Sequence, residues 1–281
     1  MKRTSNWSLI GIPDQQGVLH VGGRAGTVYG PEAFRRVFRR MQGRARVQES
    51  LTEDATLDPV TGDIDANHRL AISLVSTTHA KTGISVVVGG GHDHGYTHLA
   101  GVAKAHPKQI LGCINLDAHL DVRKPDPKIS SGSPFFLALE SGVIAPENFV
   151  EFGIQSHCNA PALWEYAEKK KIRVVPMSTL RHGKAISAFS AELESLKKKC
   201  DVIVVSLDLD AISQAYAPGV SAPQAEGFTA SEALGFCEIA GREAKVASLG
   251  IFELNPEHDD DDKTARLAAT CAFHFIEEKI S

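Results

Sequence analysis

A three-layer α/β/α fold with a mainly parallel central sheet is the class this sequence predicts, on three observations. Two runs, Ile84-Ser85-Val86-Val87-Val88 and Asp201-Val202-Ile203-Val204-Val205-Ser206-Leu207, are β-branched and apolar on both faces. Strands buried on both sides of a parallel sheet read this way. Strand-like runs also alternate with helix-patterned stretches along the chain, which implies a sheet covered by helices on both faces. Finally, the glycine-rich and acidic stretches follow strands directly, and in open α/β sheets ligands sit beyond the carboxyl ends of the strands. No linker or repeat interrupts the pattern. Residues 1–281 are therefore read as a single domain, a length that α/β folds reach as one unit.

The elements follow in order. Trp7 to Ile12 reads as the first strand, closed by Gly11, Pro13 and Asp14. A glycine-rich stretch, Gly17 to Gly26, leads to a helix opening at Pro31, where a missing N–H would lack an intrahelical partner anyway. Phe34, Val37, Phe38 and Met41 recur on its buried face, and its arginines are assigned to a solvated face. Residues 43–66 are polar and carry no pattern that assigns an element. Asn67 to Thr82 reads as a helix with Leu70, Ile72, Leu74 and Val75 inward, Ile84 to Val88 as a strand and Thr97 to Ala105 as a helix. Ile110 to Asp117 is a central strand, Lys124 to Ser133 a loop rich in breakers, and Phe135 to Ser141 a short helix. Strands at Asn148–Ile154, Ile172–Val175, Asp201–Leu207 and Lys245–Glu253 alternate with helices at Ala162–Lys171, Ile186–Lys199, Ser231–Ala240 and Thr264–Lys279.

Composition excludes several classes of function. A hydrophobic fraction of 43% and a charged fraction of 23% are ordinary for a globular chain. A net charge of −4 gives no footing for nucleic acid or an anionic membrane surface. Five scattered cysteines, odd in number and without a Cys-x-x-Cys pair, fit reduced thiols in the cytoplasm better than disulfides. The first eleven residues lack the apolar core of a signal peptide, and no run approaches the length of a membrane span.

The chemistry concentrates in Ile114-Asn115-Leu116-Asp117-Ala118-His119-Leu120-Asp121-Val122-Arg123. Asp117, His119 and Asp121 occupy alternate positions, so a strand running out would aim all three to one place. Carboxylate oxygens with one imidazole suit Mn2+, Fe2+ or Zn2+ better than a thiolate-seeking metal. The competing reading is a polar strand end with a helix-capping aspartate. Two further strand ends weigh against it: Gly89-Gly90-Gly91-His92-Asp93-His94, and Asp208 with Asp210. Four carboxylates and two imidazoles would balance two divalent cations, which in such pairs sit about 3.5–4 Å apart and can hold a hydroxide between them. His94 and His98 are given no ligand role. His157 and Asn159 lie beyond a strand end, Cys158 lacks a base to activate it, and Asp259 to Asp262 form a negative cluster before the last helix.

Gly89-Gly90-Gly91-His92-Asp93, Asp117-Ala118-His119-Leu120-Asp121 and Ser206-Leu207-Asp208-Leu209-Asp210 together resemble the ureohydrolase family of arginases, agmatinases and formimidoylglutamases. The resemblance runs from Gly23-Arg24-Ala25-Gly26 to Glu253-Leu254-Asn255-Pro256 and implies an arginase-like fold. It implies two Mn2+ per subunit, one held by His92, Asp117, Asp121 and Asp208, the other by Asp117, His119, Asp208 and Asp210. Within the family the chain is most similar to formimidoylglutamases, at Asp121-Val122-Arg123, Ser131-Gly132-Ser133-Pro134-Phe135 and Pro218-Gly219-Val220-Ser221-Ala222-Pro223. It departs from arginases and agmatinases at Ile212-Ser213-Gln214, where those carry Asp-Pro, and at Phe135, the position of an arginase histidine.

That resemblance implies a cytoplasmic, homo-oligomeric hydrolase of linear amidines, splitting N-formimidoyl-L-glutamate into L-glutamate and formamide in histidine degradation. Asp121 would pass a proton to the leaving nitrogen, and Glu253 would pair with the amidinium. Arg123, with Ser131 and Ser133, would face the substrate carboxylates. The alternatives are an amidinohydrolase releasing urea from a guanidine, and a non-catalytic, metal-stabilised scaffold.

Overall fold

The computed structural model describes residues 6–43 and 46–281. Met1 to Ser5, part of the stretch read as no signal peptide, lie outside the described residues, as do Arg44 and Ala45 of the unassigned stretch. Among the described residues no helix is long and apolar enough to cross a membrane.

Eight strands build the sheet: β1 Trp7–Ile12, β2 Leu51–Thr56, β3 Ser85–Gly89, β4 Leu111–Leu116, β5 Phe149–Ile154, β6 Arg173–Pro176, β7 Val202–Asp208 and β8 Val246–Phe252. Their order is β2-β1-β3-β8-β7-β4-β5-β6, and every pair is parallel. The chain lays down one half (β1 to β3), then the other (β4 to β6), and inserts β7 and β8 last between β3 and β4. The four middle strands, β3-β8-β7-β4, are thus the ones whose carboxyl ends carry the candidate ligands and Glu253.

Ten α-helices accompany them among the described residues: α1 Gln16–His20, α2 Gly30–Phe38, α3 Ile64–Thr82, α4 His94–Ala105, α5 Pro134–Glu140, α6 Pro161–Lys170, α7 Met177–Leu180, α8 Ala185–Lys197, α9 Ala230–Arg242 and α10 Lys263–Ile280. The sheet divides the core in two. Phe34 and Phe38 of α2, Phe189 of α8, Phe236 of α9 and Phe275 of α10 pack on one face with Val86, Val88, Ile203 and Val205. Ala71 and Val75 of α3, Leu99 and Val102 of α4 and Phe135 of α5 pack on the other with Val87, Val202 and Val204. The alternation within β3 and β7 is the period-2 arrangement of strands covered twice.

Four sequence expectations change. The unassigned 43–66 stretch contains β2, an edge strand whose residues are only partly buried or exposed. Arg35 is not on a solvated face: it is 9% exposed and donates Nε and Nη2 to Asp54 Oδ1 on β2, at 2.9 and 2.7 Å. Helix α2 ends at Phe38, before Met41, and Leu70 of α3 is exposed while Ala71, Val75 and His79 are buried. The acidic run precedes α10 as expected, and its Asp259 accepts from Thr264 and Ala265 N–H at 2.9 and 3.0 Å. Beyond β7, residues 212–228 loop out and return, with Ile212 bridged to Phe228. Phe228 is locked among Phe152 and Phe236 at ring separations of 5.8 and 4.9 Å, which anchors the loop that carries Ser221.

Candidate metal centre

Each ligand candidate is delivered by a strand end. Leaving β3, the backbone of Gly90 passes so close to Asp14 that a Cβ there would lie 1.9 Å from the Asp14 carbonyl oxygen. Only glycine permits that approach, and it drops His92 into a fully buried position at the head of α4. The His92 ring stacks on Phe252 at 5.0 Å and meets the edge of Phe135 at 5.5 Å, while Nε2 lies 2.9 Å from Ser206 Oγ. Its Nδ1 faces Asp117 Oδ2 at 3.1 Å, Asp121 Oδ2 at 3.0 Å and Asp208 Oδ2 at 3.0 Å. A second group adjoins through Asp117: His119 Nδ1 is 3.1 Å from Asp210 Oδ2 and 3.5 Å from Asp117 Oδ1. Asp208 joins the first group through Oδ2 and reaches the residues of the second through Oδ1, which accepts the Asp210 N–H at 2.8 Å.

Two site carboxylates sit on left-handed backbone, Asp121 at φ 45° and Glu253 at φ 66°. Such positions cost about 1–3 kcal/mol each and cluster at functional sites. Both are held by hydrogen bonds: Glu253 N to Gly90 O at 2.8 Å, and Phe135 N to Asp121 O at 3.1 Å. The Glu253 carboxylate is fixed as well, Oε1 accepting the His92 N–H at 2.8 Å and Oε2 the Ser221 hydroxyl.

The charges suit a bound cation. Burial pushes the Asp121 carboxyl up to about 6, the Asp117 charge adding to it while His92 and His119 oppose. Burial raises Asp208 well above the usual range, with Asp210 and Asp117 adding their charges. Burial likewise takes Glu253 up to about 8, against the pull of Ser221 and the His92 N–H. Burial would lower His92, but the carboxylates of Asp117, Asp121 and Asp208 facing its Nδ1 lift it well above its ordinary value. One proton on Nδ1 can serve one of three oxygens at 3.0–3.1 Å, and in the protein alone Nδ1 and Asp210 Oδ1 are buried without a hydrogen-bond partner. Ligands at about 2.1 Å in an octahedron are about 3 Å from their neighbours. The spacing around His92 Nδ1 therefore suits a hard, six-coordinate divalent ion, and the donor set contains no sulfur.

Of the substrate contacts expected from sequence, Arg123, Ser131 and Glu253 line the cavity over this centre, about 280 Å³ in volume. Ser133 does not: it is fully buried, its Oγ accepting from Ser130 N at 3.3 Å beneath the start of α5. His94 turns away to Asp14 (3.3 Å) and His98 to Ser248 (2.6 Å). A third donor group, His68, Asp93 and His94, is knitted into hydrogen bonds, His68 Nε2 lying 2.8 Å from Asp93 Oδ2. Asn159 braces the ligand-bearing turn, accepting from Leu120 N at 2.8 Å, whereas His157 is exposed and outside the cavity. Cys158 bonds Gln224 at 3.2 Å.

Sequence reasoning missed Ser206, Asn115 and the cavity wall at Val21, Gly22, Gly23 and Ser221. Asn115 Nδ2 donates to Asp117 Oδ2 at 3.1 Å. Asn115 and Ser206 each precede a ligand by two residues on the same strand face, a signal that was present in the spacing.

The fold has close counterparts. A formimidoylglutamase of Rhodococcus jostii is 33% identical over 97% of this chain and 85% of its own length. A Trypanosoma cruzi formiminoglutamase solved with Mn2+2 superposes with a TM-score of 0.88 at 28% identity, covering 99% of this chain and 94% of that one. The formimidoylglutamase of Bacillus subtilis, 24% identical, shares the fold with a TM-score of 0.90 over 97% of this chain and 87% of that one. The model of the arginase family matches residues 5–277, nearly the full sequence that builds the sheet and the acidic centre at its edge, and the chain belongs to that family.

Proposed function

We propose that this protein is a formimidoylglutamase, hydrolysing N-formimidoyl-L-glutamate to L-glutamate and formamide with two Mn2+ at the centre described above. His92, Asp117, Asp121 and Asp208 would hold one ion, and Asp117, His119, Asp208 and Asp210 the other. Bound there, the ions would supply Lewis acidity and a water ionised near neutral pH.

The residues of the chain do the rest. Glu253, held from both sides by Ser221 and the His92 N–H, presents a fixed carboxyl group to the amidinium, whose positive charge favours the ionised form, and orients its carbon over the centre. Asp121 turns Oδ2 towards His92 and Oδ1 towards Gly132. The free oxygen can take a proton from water and hand it to the leaving nitrogen as the carbon–nitrogen bond breaks. The water oxygen remains on the amidine carbon, giving formamide and the free amine of glutamate.

The substrate reading is carried by Arg123. It lies two residues beyond Asp121, lines the cavity and makes no ion pair among the described residues. An unpaired guanidinium over an acidic floor is suited to a carboxylate through paired hydrogen bonds. Similarity to formimidoylglutamases over nearly the whole chain supports the same conclusion. We further take the chain to be one catalytic unit acting in the cytoplasm, as a homo-oligomer, within histidine degradation. The five free cysteines support that compartment.

The test is a product assay. Mn-loaded protein is offered N-formimidoyl-L-glutamate, arginine, agmatine and 4-guanidinobutyrate, with formamide and urea both measured. Formamide from the first compound is expected. Urea from a guanidine, with no formamide, would replace this reading by the urea-releasing one, and no turnover of any would point to a scaffold.

A further inference from the structure

The substrate proposed above carries two carboxylates, yet the cavity lining offers one arginine or lysine side chain to meet them. Its floor is acidic and buried: Asp208 and Glu253 are both 2% exposed. Its mouth is neutral, formed by Val21, Gly22, Gly23, Ser131 and Ala222. Among the described residues that line it, Arg123 is the sole arginine or lysine. Arg24, nearby in sequence, is engaged elsewhere, donating to the carbonyl oxygens of Pro218 and Val220.

The position of Arg123 selects which carboxylate it meets. A Cβ placed on Gly132 would lie 3.5 Å from Arg123 Cζ and 3.6 Å from Asp121 Oδ1, so the two heads flank one small residue. Asp121 serves the leaving nitrogen. The α-carboxylate carbon is two bonds from that nitrogen, and the side-chain carboxylate carbon is four. A guanidinium next to Asp121 meets the nearer group without folding the ligand back on itself. The farther carboxylate is then directed along the neutral wall to the mouth, where Val21 is 39% exposed and water competes for every contact.

We propose that the site reads the α-carboxylate by charge and leaves the side-chain carboxylate to solvent, so that its substrates are N-formimidoyl-α-amino acids as a class. The inference rests on the hydrolytic reading above. Each reaction has the same balance: the amidine carbon gains the water oxygen, its bond to the amino-acid nitrogen breaks, and that nitrogen takes the proton. Formamide and the free amino acid result, whatever the side chain. Glycine and alanine derivatives enter a cavity that already admits the glutamate compound.

Two isosteres separate the carboxylates. N-formimidoyl-L-glutamine neutralises the side-chain group and N-formimidoyl-L-isoglutamine the α group, each with little change in size. The glutamine compound should retain kcat/KM within about threefold of the glutamate compound. The isoglutamine compound should lose about ten- to a hundredfold, the worth of a charge-assisted hydrogen bond. Arg123→Ala should impose that loss on the glutamate and glutamine compounds alike and leave the isoglutamine compound unchanged, a coupling read as a double-mutant cycle. Metal content and melting temperature of Arg123→Ala and Arg123→Lys confirm that the protein is intact. Equal losses for both isosteres, or none for the isoglutamine compound, overturn the inference while the hydrolase stands. No formamide from any of the three overturns the activity and the inference with it.

Discussion

Replacing Ser206 by alanine isolates one hydrogen bond behind the metal centre. Ser206 is fully buried on β7, and its Oγ, 2.9 Å away, is the sole hydrogen-bond partner of His92 Nε2 among the described residues. Its backbone is held in the ladder opposite Asn115 and Gly250, so loss of the hydroxyl leaves the strand in place. What remains is an imidazole nitrogen buried without a partner, costing about 1–3 kcal/mol. At about 1.4 kcal/mol per tenfold, that corresponds to roughly 5- to 150-fold in affinity. Outer partners of metal-ligating histidines are typically worth about 10- to 100-fold, the same range. The assay is competition for Mn2+ against a chelator, with site occupancy followed by metal analysis. Ser206→Ala should weaken the ion held by His92 by about one to two orders of magnitude and leave the ion held by His119 and Asp210 bound. Affinity within twofold of the parent would refute the claim that the hydroxyl orients the ring.

Asp208→Ala removes an oxygen 3.0 Å from His92 Nδ1 and should abolish turnover with loss of at least one metal equivalent on dialysis; full retention of both ions with normal rates would contradict the assignment. Chelation should lower the melting temperature, because ligand bound only by the folded state at 100 times its Kd contributes about 2.7 kcal/mol; an unchanged melting curve after verified metal removal would count against ions that bridge three strand ends. Acid should destabilise the metal-free protein through two buried histidines outside the ligand set. Burial and the charge of His106 hold His79 down to about 4, and burial with the charges of His79 and His92 holds His98 down to about 3. Unfolded, both take up a proton near 6.5; the unfolded state therefore binds more protons below that pH, and stability falls as pH drops from 6.5 towards 4. For His79 alone this is ~3 kcal/mol; urea midpoints at pH 7 and 5 should differ less in His79→Gln, and an equal difference would remove His79 from the account.

Much of the architecture was legible because burial on both faces leaves no room for polar residues. Val86 to Val88 and Val202 to Val205 could be little else than inner strands, and those two strands with β4 deliver all six ligand candidates. Strand β2 was illegible for the converse reason. Leu51-Thr52-Glu53-Asp54-Ala55-Thr56 lies at the sheet edge, partly wet, and what locates it is pairing to β1 and to Arg35, both distant in sequence. The same tertiary contact turned Arg35 from an expected surface charge into a buried one. Spacing by two found Asp117, His119 and Asp121, and applied one step earlier it would have found Asn115 and Ser206. Ser133 was misassigned because a serine before a short helix is as useful for ordering that helix as for meeting a ligand. The wall at Val21 to Gly23 had no sequence signal, since it becomes a wall only when the loop after β1 folds against the ends of β4 and β8.

The central claim is that two cations occupy the gap among His92, Asp117, Asp121 and Asp208 and the gap among Asp117, His119, Asp208 and Asp210. Crystals grown with Mn2+ and measured on both sides of the manganese absorption edge test it directly. The account predicts two anomalous peaks per chain, separated by about 3.5–4 Å and sharing Asp117 and Asp208. A single peak, or peaks at His68, Asp93 and His94 instead, would contradict it.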